Sequence, residues 1–277
     1  MCGESQLTEG GEFMKVVLFC GGMGLRLRES GENIPKPLAA IGYWPILWHV
    51  MKYYAHYGHK DFILCLGYRG DAIKNYFLHY DEYVSNDFVL SEGGKRRELV
   101  SRDIEDWKIT FADTGTLSNV GQRLKAVEEY LHNEDVFLAN YADGLTDLPL
   151  PEQIAHFQQH NKVASLLCVH PKVPYHLIGV KDGDLVSDIE NMSNSNLRIN
   201  GGYFVFKKEI FGYIKNGEEL VEEPFRRLAA DEQLIAFRYD GFWACMDTYK
   251  DKQRLDDLHA KGGAPWQVWR SRNTQRW

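Results

Sequence analysis

The chain has 277 residues, of which 44% are hydrophobic and 26% charged, and a formal net charge of −7. That is the composition of a globular protein able to bury a full core, in one large domain or two small ones. The acidic balance and the lack of a long basic run argue against a nucleic-acid partner. No apolar run reaches the roughly 18 residues of a membrane span, so no membrane partner is expected either.

In chain order, residues 1–13 are polar and glycine-rich, with no signal-peptide core. They read as a disordered leader or tag remnant, with the fold starting at Met14. A single domain is expected over 14–269, followed by a tail over 270–277. Residues 15–20 read as a buried strand. The loop Gly21-Gly22-Met23-Gly24-Leu25-Arg26-Leu27 follows it, and then Pro35-Lys36-Pro37. A helix is predicted over 45–57, a strand over 62–66 and a helix over 70–79, from runs of apolar residues at helical or strand spacing. This β-α-β-α start implies a parallel sheet with helices on its faces. Short strand-like pieces from 86 to 113 read as a β-rich insertion. A helix over 121–132 and a strand over 136–139 restore the pattern, followed by a helix over 151–160 and a strand over 163–169. The last third reads as strands at 177–180, 185–189, 202–206 and 234–238, with helices near 207–215, 222–230 and 248–260. Asp182-Gly183-Asp184 reads as a hairpin turn. The fold class is α/β: Rossmann-like, three-layer α/β/α, with a mostly parallel mixed sheet extended by antiparallel strands.

Glycines directly after a strand let the backbone approach a ligand and aim its N–H groups at it. Arg26 and Lys36 add the cations a phosphate requires. The loop matches neither the dinucleotide fingerprint nor the P-loop, and a plain tight turn remains the alternative. Asp143, in Tyr141-Ala142-Asp143-Gly144, falls beyond a strand's carboxyl end, where ligands bind in open α/β sheets. It is equally a turn residue before Gly144. Asp247 precedes the last helix, where a helix N-cap is the alternative. Two carboxylates beside a triphosphate suggest Mg²⁺, which takes oxygen ligands and keeps substrate phosphates in its shell. Ser118 and Gly121-Gln122-Arg123 border a helix start suited to a base or phosphate, or to a plain cap. Asn200-Gly201-Gly202 marks a close backbone approach, and Glu223 reads first as a helix start. Cys2, Cys20, Cys65, Cys168 and Cys245 are scattered without metal-ligand spacing, which suits a reducing cytoplasm.

These pieces together resemble the sugar-1-phosphate nucleotidylyltransferases. The matching residues run from 15 to about 269 and include the glycine loop, Pro35-Lys36-Pro37-Leu38, Pro45-Ile46-Leu47-Trp48-His49 and Asp113-Thr114-Gly115. Arg123-Leu124-Lys125, Tyr141-Ala142-Asp143-Gly144, Asn200-Gly201-Gly202 and Glu223-Pro224 follow. Phe242-Trp243 with Met246-Asp247-Thr248, and Ala264-Pro265-Trp266, point to the cytidylyl branch. The resemblance implies a nucleoside triphosphate, first CTP, and a sugar 1-phosphate, first glucose 1-phosphate, as substrates. It also implies Mg²⁺ and a homo-oligomer. Phe19, Gly21, Gly22, Met23, Gly24, Leu25, Arg26, Ser118, Arg123 and Ala142 would bind the nucleotide. Lys36, Asn200, Gly201 and Glu223 would bind the sugar phosphate. Arg26, Lys36 and Asp143 would be catalytic, and Asp143 and Asp247 would hold the metal. Three positions depart from the family pattern: Leu25 stands where Thr is usual, Glu190-Asn191-Met192 replaces Glu-Lys-Pro, and Tyr175-His176-Leu177 replaces Arg-Phe-Gly. UTP, dTTP or another sugar, a binding protein without catalysis, and a metal-dependent glycosyltransferase are the competing readings.

Overall fold

The computed structural model describes residues 13–22, 34–172 and 175–270. Strand β1 (Val16–Phe19) is buried on both sides at all four positions, as a strand inside a parallel sheet must be. A short hairpin of β2 (Ala40–Ile41) and β3 (Trp44–Pro45) leads into helix α1 (Ile46–His56), which lays Ile46, Leu47, Val50, Met51 and Tyr54 on the sheet. Strand β4 (Asp61–Leu66) and helix α2 (Gly70–Leu78) follow, then a single turn α3 (Glu82–Ser85).

The β-rich stretch expected over 86–113 divides into two structures with different fates. Strands β5 (Phe88–Ser91) and β6 (Arg96–Leu99) pair only with each other, as an exposed hairpin. Strand β7 (Lys108–Asp113) instead pairs in parallel with β4 and forms an edge of the main sheet. Ile109 and Phe111 pack on the core there, which gives the strand a buried side and a reason to join.

Helix α4 (Val120–Ala126) is closed by a capping box between Asn119 and Gln122, and stops short of the predicted 121–132; a 3-10 turn, Glu128–Leu131, follows it. Strands β8 (Val136–Asn140) and β9 (Gly144–Thr146) come next, then helix α5 (Leu150–His160) and strand β10 (Ala164–Val169). Strands β11 (His176–Lys181) and β12 (Leu185–Asn191) form a second exposed hairpin, whose turn places Gly183 and Asp184 at φ +75° and +60°. Strand β13 (Ile199–Lys207) precedes short α6 (Ile210–Tyr213) and α7 (Glu223–Ala230). Strands β14 (Leu234–Tyr239) and β15 (Trp243–Cys245) and helix α8 (Tyr249–Ala260) complete the order.

The main sheet has seven strands in the order β14-β10-β13-β8-β1-β4-β7. Its neighbours are parallel except where β13 meets β10 and β8. Strand side chains alternate between two cores. Val16, Leu18, Phe62 and Leu64 face a cluster with α1, α5, α8 and Trp266, while Val17, Phe19, Ile63 and Cys65 face another with α4, α6 and α7. That is the expected three-layer architecture. Among the described residues no helix is long and apolar enough to cross a membrane.

Candidate active site

Lys36 opens a 3-10 turn (Lys36–Leu38) with a proline on either side, which limits the backbone freedom of the lysine between them. Its ammonium donates to Asp143 Oδ2 at 2.7 Å and to Asp247 Oδ1 at 2.6 Å. One cation thus faces two carboxylates. Their negative charge holds Lys36 above the usual lysine range, against the burial that would lower it. Burial pushes the Asp143 carboxyl up, and the Asp247 charge adds to the push while Lys36 opposes it.

Two three-residue strands bring the carboxylates together. Strand β9 follows Asp143 directly and pairs antiparallel with β15, two residues before Asp247, so that Gly144 faces Cys245. The Met246 N–H donates to the Asp143 carbonyl at 3.0 Å. Asp247 is not the cap of α8: Thr248 takes that position, in a capping box with Asp251. The Cys245 thiol lies 3.4 Å from Asp247 Oδ2, and burial together with Asp247 pushes it up to about 12, so it stays protonated and can donate to the carboxylate. Two carboxylates on one ammonium form a hard oxygen donor set that one cation can reach from both sides. Among the described residues no cluster of three or more metal-ligating side chains exists.

Directly beyond β1, Gly21 is held by Arg123. Its guanidinium is buried, 4% exposed, and donates to Gly21 O at 3.0 Å, Leu66 O at 3.1 Å, Thr114 Oγ1 at 2.8 Å and Gly115 O at 2.9 Å. It therefore ties together the ends of β1, β4 and β7. Burial lowers its pKa from the usual arginine range. A Cβ on Gly21 would stand 2.0 Å from Arg123 Nη1, and one on Gly67 2.7 Å from it. These two glycines are required by the arginine, whereas a Cβ on Gly22 would meet no atom of the described residues within 4 Å.

The structure gathers Gly21, Phe19, Arg123, Lys36, Asp143 and Asp247 at the carboxyl edge of the sheet. Phe19 lies beside Tyr141, with ring centroids 6.2 Å apart. Ser118 donates to Thr114 O at 2.5 Å in the neighbouring loop. Ala142 is fully buried, next to Asp143. Met23, Gly24, Leu25 and Arg26 lie outside the described residues.

On the sugar side, Asn200 uses both ends of its amide within the protein. Nδ2 donates to the Tyr141 hydroxyl at 3.1 Å, and Oδ1 accepts from Gly202 N–H at 2.8 Å. Gly201 O accepts from Trp243 Nε1 at 2.8 Å. Glu223 sits at the exposed start of α7, a position that also complements the helix dipole. Among the described residues no hydrogen bond joins it to the Lys36–Asp143–Asp247 group.

Sequence reasoning assigned no role to Tyr141, Asn140, Trp243 or Cys245. The one signal for Tyr141 was its place in the motif two residues before Asp143. For Trp243 and Cys245 it was their closeness to Asp247.

No family model matches the chain. Over 257 residues it is 40% identical to glucose-1-phosphate cytidylyltransferase of Salmonella typhimurium (strain LT2), covering 92% of this chain and all of that one. Over 258 residues it is 38% identical to the probable glucose-1-phosphate cytidylyltransferase of Bacillus subtilis (strain 168), again covering 92% of this chain and all of that one. A solved structure of UDP-glucose pyrophosphorylase with UDP-glucose superposes with a TM-score of 0.66. At 14% identity, over 90% of this chain and 99% of that one, it supports the fold alone. Identity of this order over the full length of both relatives settles the family, and the chain belongs to the glucose-1-phosphate cytidylyltransferases.

Proposed function

We propose that this chain joins CTP and glucose 1-phosphate, giving CDP-glucose and pyrophosphate. The observation that carries the reading is the Lys36 ammonium held between Asp143 and Asp247. A phosphate oxygen of the sugar phosphate attacks the α-phosphorus of CTP, the new O–P bond forms, and the bond to the β-phosphate oxygen breaks in line. The electron pair leaves with pyrophosphate, and no covalent enzyme intermediate is required. Catalysis is then positioning and charge stabilisation.

In this reading Asp143 and Asp247 hold Mg²⁺, which supplies positive charge that offsets the repulsion between the two anionic substrates. Lys36 exchanges carboxylate oxygen for phosphate oxygen when substrate arrives, and acts as a point charge at the reacting phosphorus. The loop from Gly21 to Arg26 holds the triphosphate, with Arg26 on the leaving pyrophosphate. Phe19, Ser118 and Arg123 border the nucleotide. Asn200, Gly201 and Glu223, together with Tyr141, border the sugar phosphate. The family resemblance supports these assignments and a homo-oligomer. The thiols of Cys20, Cys65, Cys168 and Cys245, all unpaired, support a cytoplasmic setting.

The test offers CTP, UTP, dTTP, ATP and GTP with Mg²⁺ against several sugar 1-phosphates and follows pyrophosphate. Release with CTP and glucose 1-phosphate is expected, and its loss when a chelator removes the metal. Release only with another nucleotide would overturn the choice of CTP.

A further inference from the structure

The chain turns sharply between β8 and β9, and Asp143 sits in that turn. Ala142, the residue before it, has φ +62° and is fully buried. That is the left-handed region, which is unfavourable for an L-residue with a side chain. Something must hold it there. Asn140, the last residue of β8, is also fully buried, and its Oδ1 accepts from the Ala142 N–H at 2.7 Å. The Tyr54 and Tyr203 hydroxyls lie beside the same amide.

The rest of the turn is fixed at each successive residue. Tyr141 N–H donates to Gly202 O at 3.2 Å. The Asp143 carbonyl accepts from Met246 N–H, and the Gly144 carbonyl accepts from the Tyr203 hydroxyl at 2.8 Å. An irregularity within β13, where its register against β10 shifts, gives an internal contrast. Asn200 Oδ1 holds the Gly202 N–H in the same way, but there the left-handed residue, at φ +75°, is a glycine. Gly202 adopts that conformation without side-chain cost; Ala142 does not.

We infer that Asn140 is a positioning residue for the reaction: its buried side-chain oxygen holds Ala142 left-handed, and so aims the Asp143 carboxylate at Lys36 and Asp247. Asn140 touches no substrate. Its effect passes entirely through the backbone of residues 141–143. The inference rests on the proposed role of Asp143.

The test uses the full chain with CTP, glucose 1-phosphate and Mg²⁺, with turnover expressed per folded molecule, and also the melting temperature of the metal-free protein. Asn140→Ala is expected to lower kcat at least about tenfold, since misplacing a reacting group by an ångström is that costly, and to lower the melting temperature. Adding Ala142→Gly supplies a residue that needs no brace. It is expected to restore most of both losses, although it adds no packing and would not repair a simple core defect. Wild-type kcat in Asn140→Ala, or a loss that Ala142→Gly leaves in place, overturns the inference. Should Asn140→Ala fail to fold, Asn140→Ser is compared with and without Ala142→Gly. A partial loss that glycine repairs supports the inference, and an unchanged kcat or an unrepaired loss overturns it. A wild-type protein that releases no pyrophosphate refutes the proposed reaction instead. The metal-free melting series then still decides whether Asn140 braces the turn.

Discussion

Two turns at the carboxyl edge of the sheet are braced by opposite chemistry. Gly21, directly after β1, rests on the Arg123 guanidinium, a buried cation whose four partners are three carbonyls and a hydroxyl. The turn after β8 rests on neutral groups: the Asn140 amide, the Tyr203 hydroxyl and the Met246 N–H. The difference follows the charge each turn is proposed to meet. A positive charge under Gly21 favours a polyanion above it. Neutral braces around Asp143 leave its carboxylate to the cation it faces. A second fixed cation there would compete with both Lys36 and a metal.

The largest effect expected from breaking this arrangement falls on Lys36. Lys36→Gln removes the point charge and should lower kcat by about 10²–10³-fold, read by pyrophosphate release at saturating substrates. A kcat within a few-fold of wild type would remove Lys36 from the chemistry. Arg123→Leu should act on stability first. It strips four oxygens of their donor and should cost about 3 kcal/mol in urea unfolding, with a raised KM for the nucleotide in the fraction that folds. An unchanged KM would confine Arg123 to holding the fold.

A similar loss of stability should appear on acidification, from two histidines remote from the chemistry. His49 is fully buried and accepts from Trp266 Nε1 at Nδ1, while its Nε2 faces the Ile41 carbonyl at 3.1 Å; burial lowers it to about 4. His59 accepts from the Met14 N–H at Nδ1 and is likewise lowered by burial to about 4. Both folded values lie below the ordinary value of 6.5, so the unfolded chain binds protons first as pH falls. Their contribution is complete above about pH 6.5 and is lost as pH falls through about 4, at roughly 3 kcal/mol each. Chemical denaturation between pH 7 and 4 measures it, and a flat profile would contradict the neutral assignments. The smallest effect separates two adjacent glycines. Gly21→Ala should lower the melting temperature because its Cβ meets Arg123, whereas Gly22→Ala, whose Cβ meets no atom of the described residues, should leave it unchanged. Equal shifts would contradict the brace.

Much of this was legible in the sequence for physical reasons. Val16–Phe19 and residues 62–66 are continuous apolar runs, which only strands covered on both sides require, and the loop after the first declared itself by its glycines and Lys36. Asp143 was placed by the strand before it. Other features were hidden. β7 lay next to a hairpin of similar composition and read as part of it, because an edge strand needs only one apolar side. The β9–β15 pairing that joins Asp143 to Asp247 uses three residues from each strand, too few to leave a pattern. Asp247 carried a helix cap as its alternative reading because Thr248, the actual cap, stands directly beside it. The oxygens that surround Arg123 were hidden because they come from three segments far apart in sequence. Asn140 looked like any polar residue ending a strand, since the φ of Ala142 leaves no mark on the sequence.

The most direct measurement is pyrophosphate release from Asp143→Asn with CTP, glucose 1-phosphate and Mg²⁺, alongside its melting curve. The account predicts turnover lowered by orders of magnitude in a protein that melts as a folded enzyme. Near-normal release from that folded variant would contradict the claim that Lys36, Asp143 and Asp247 form the reaction centre.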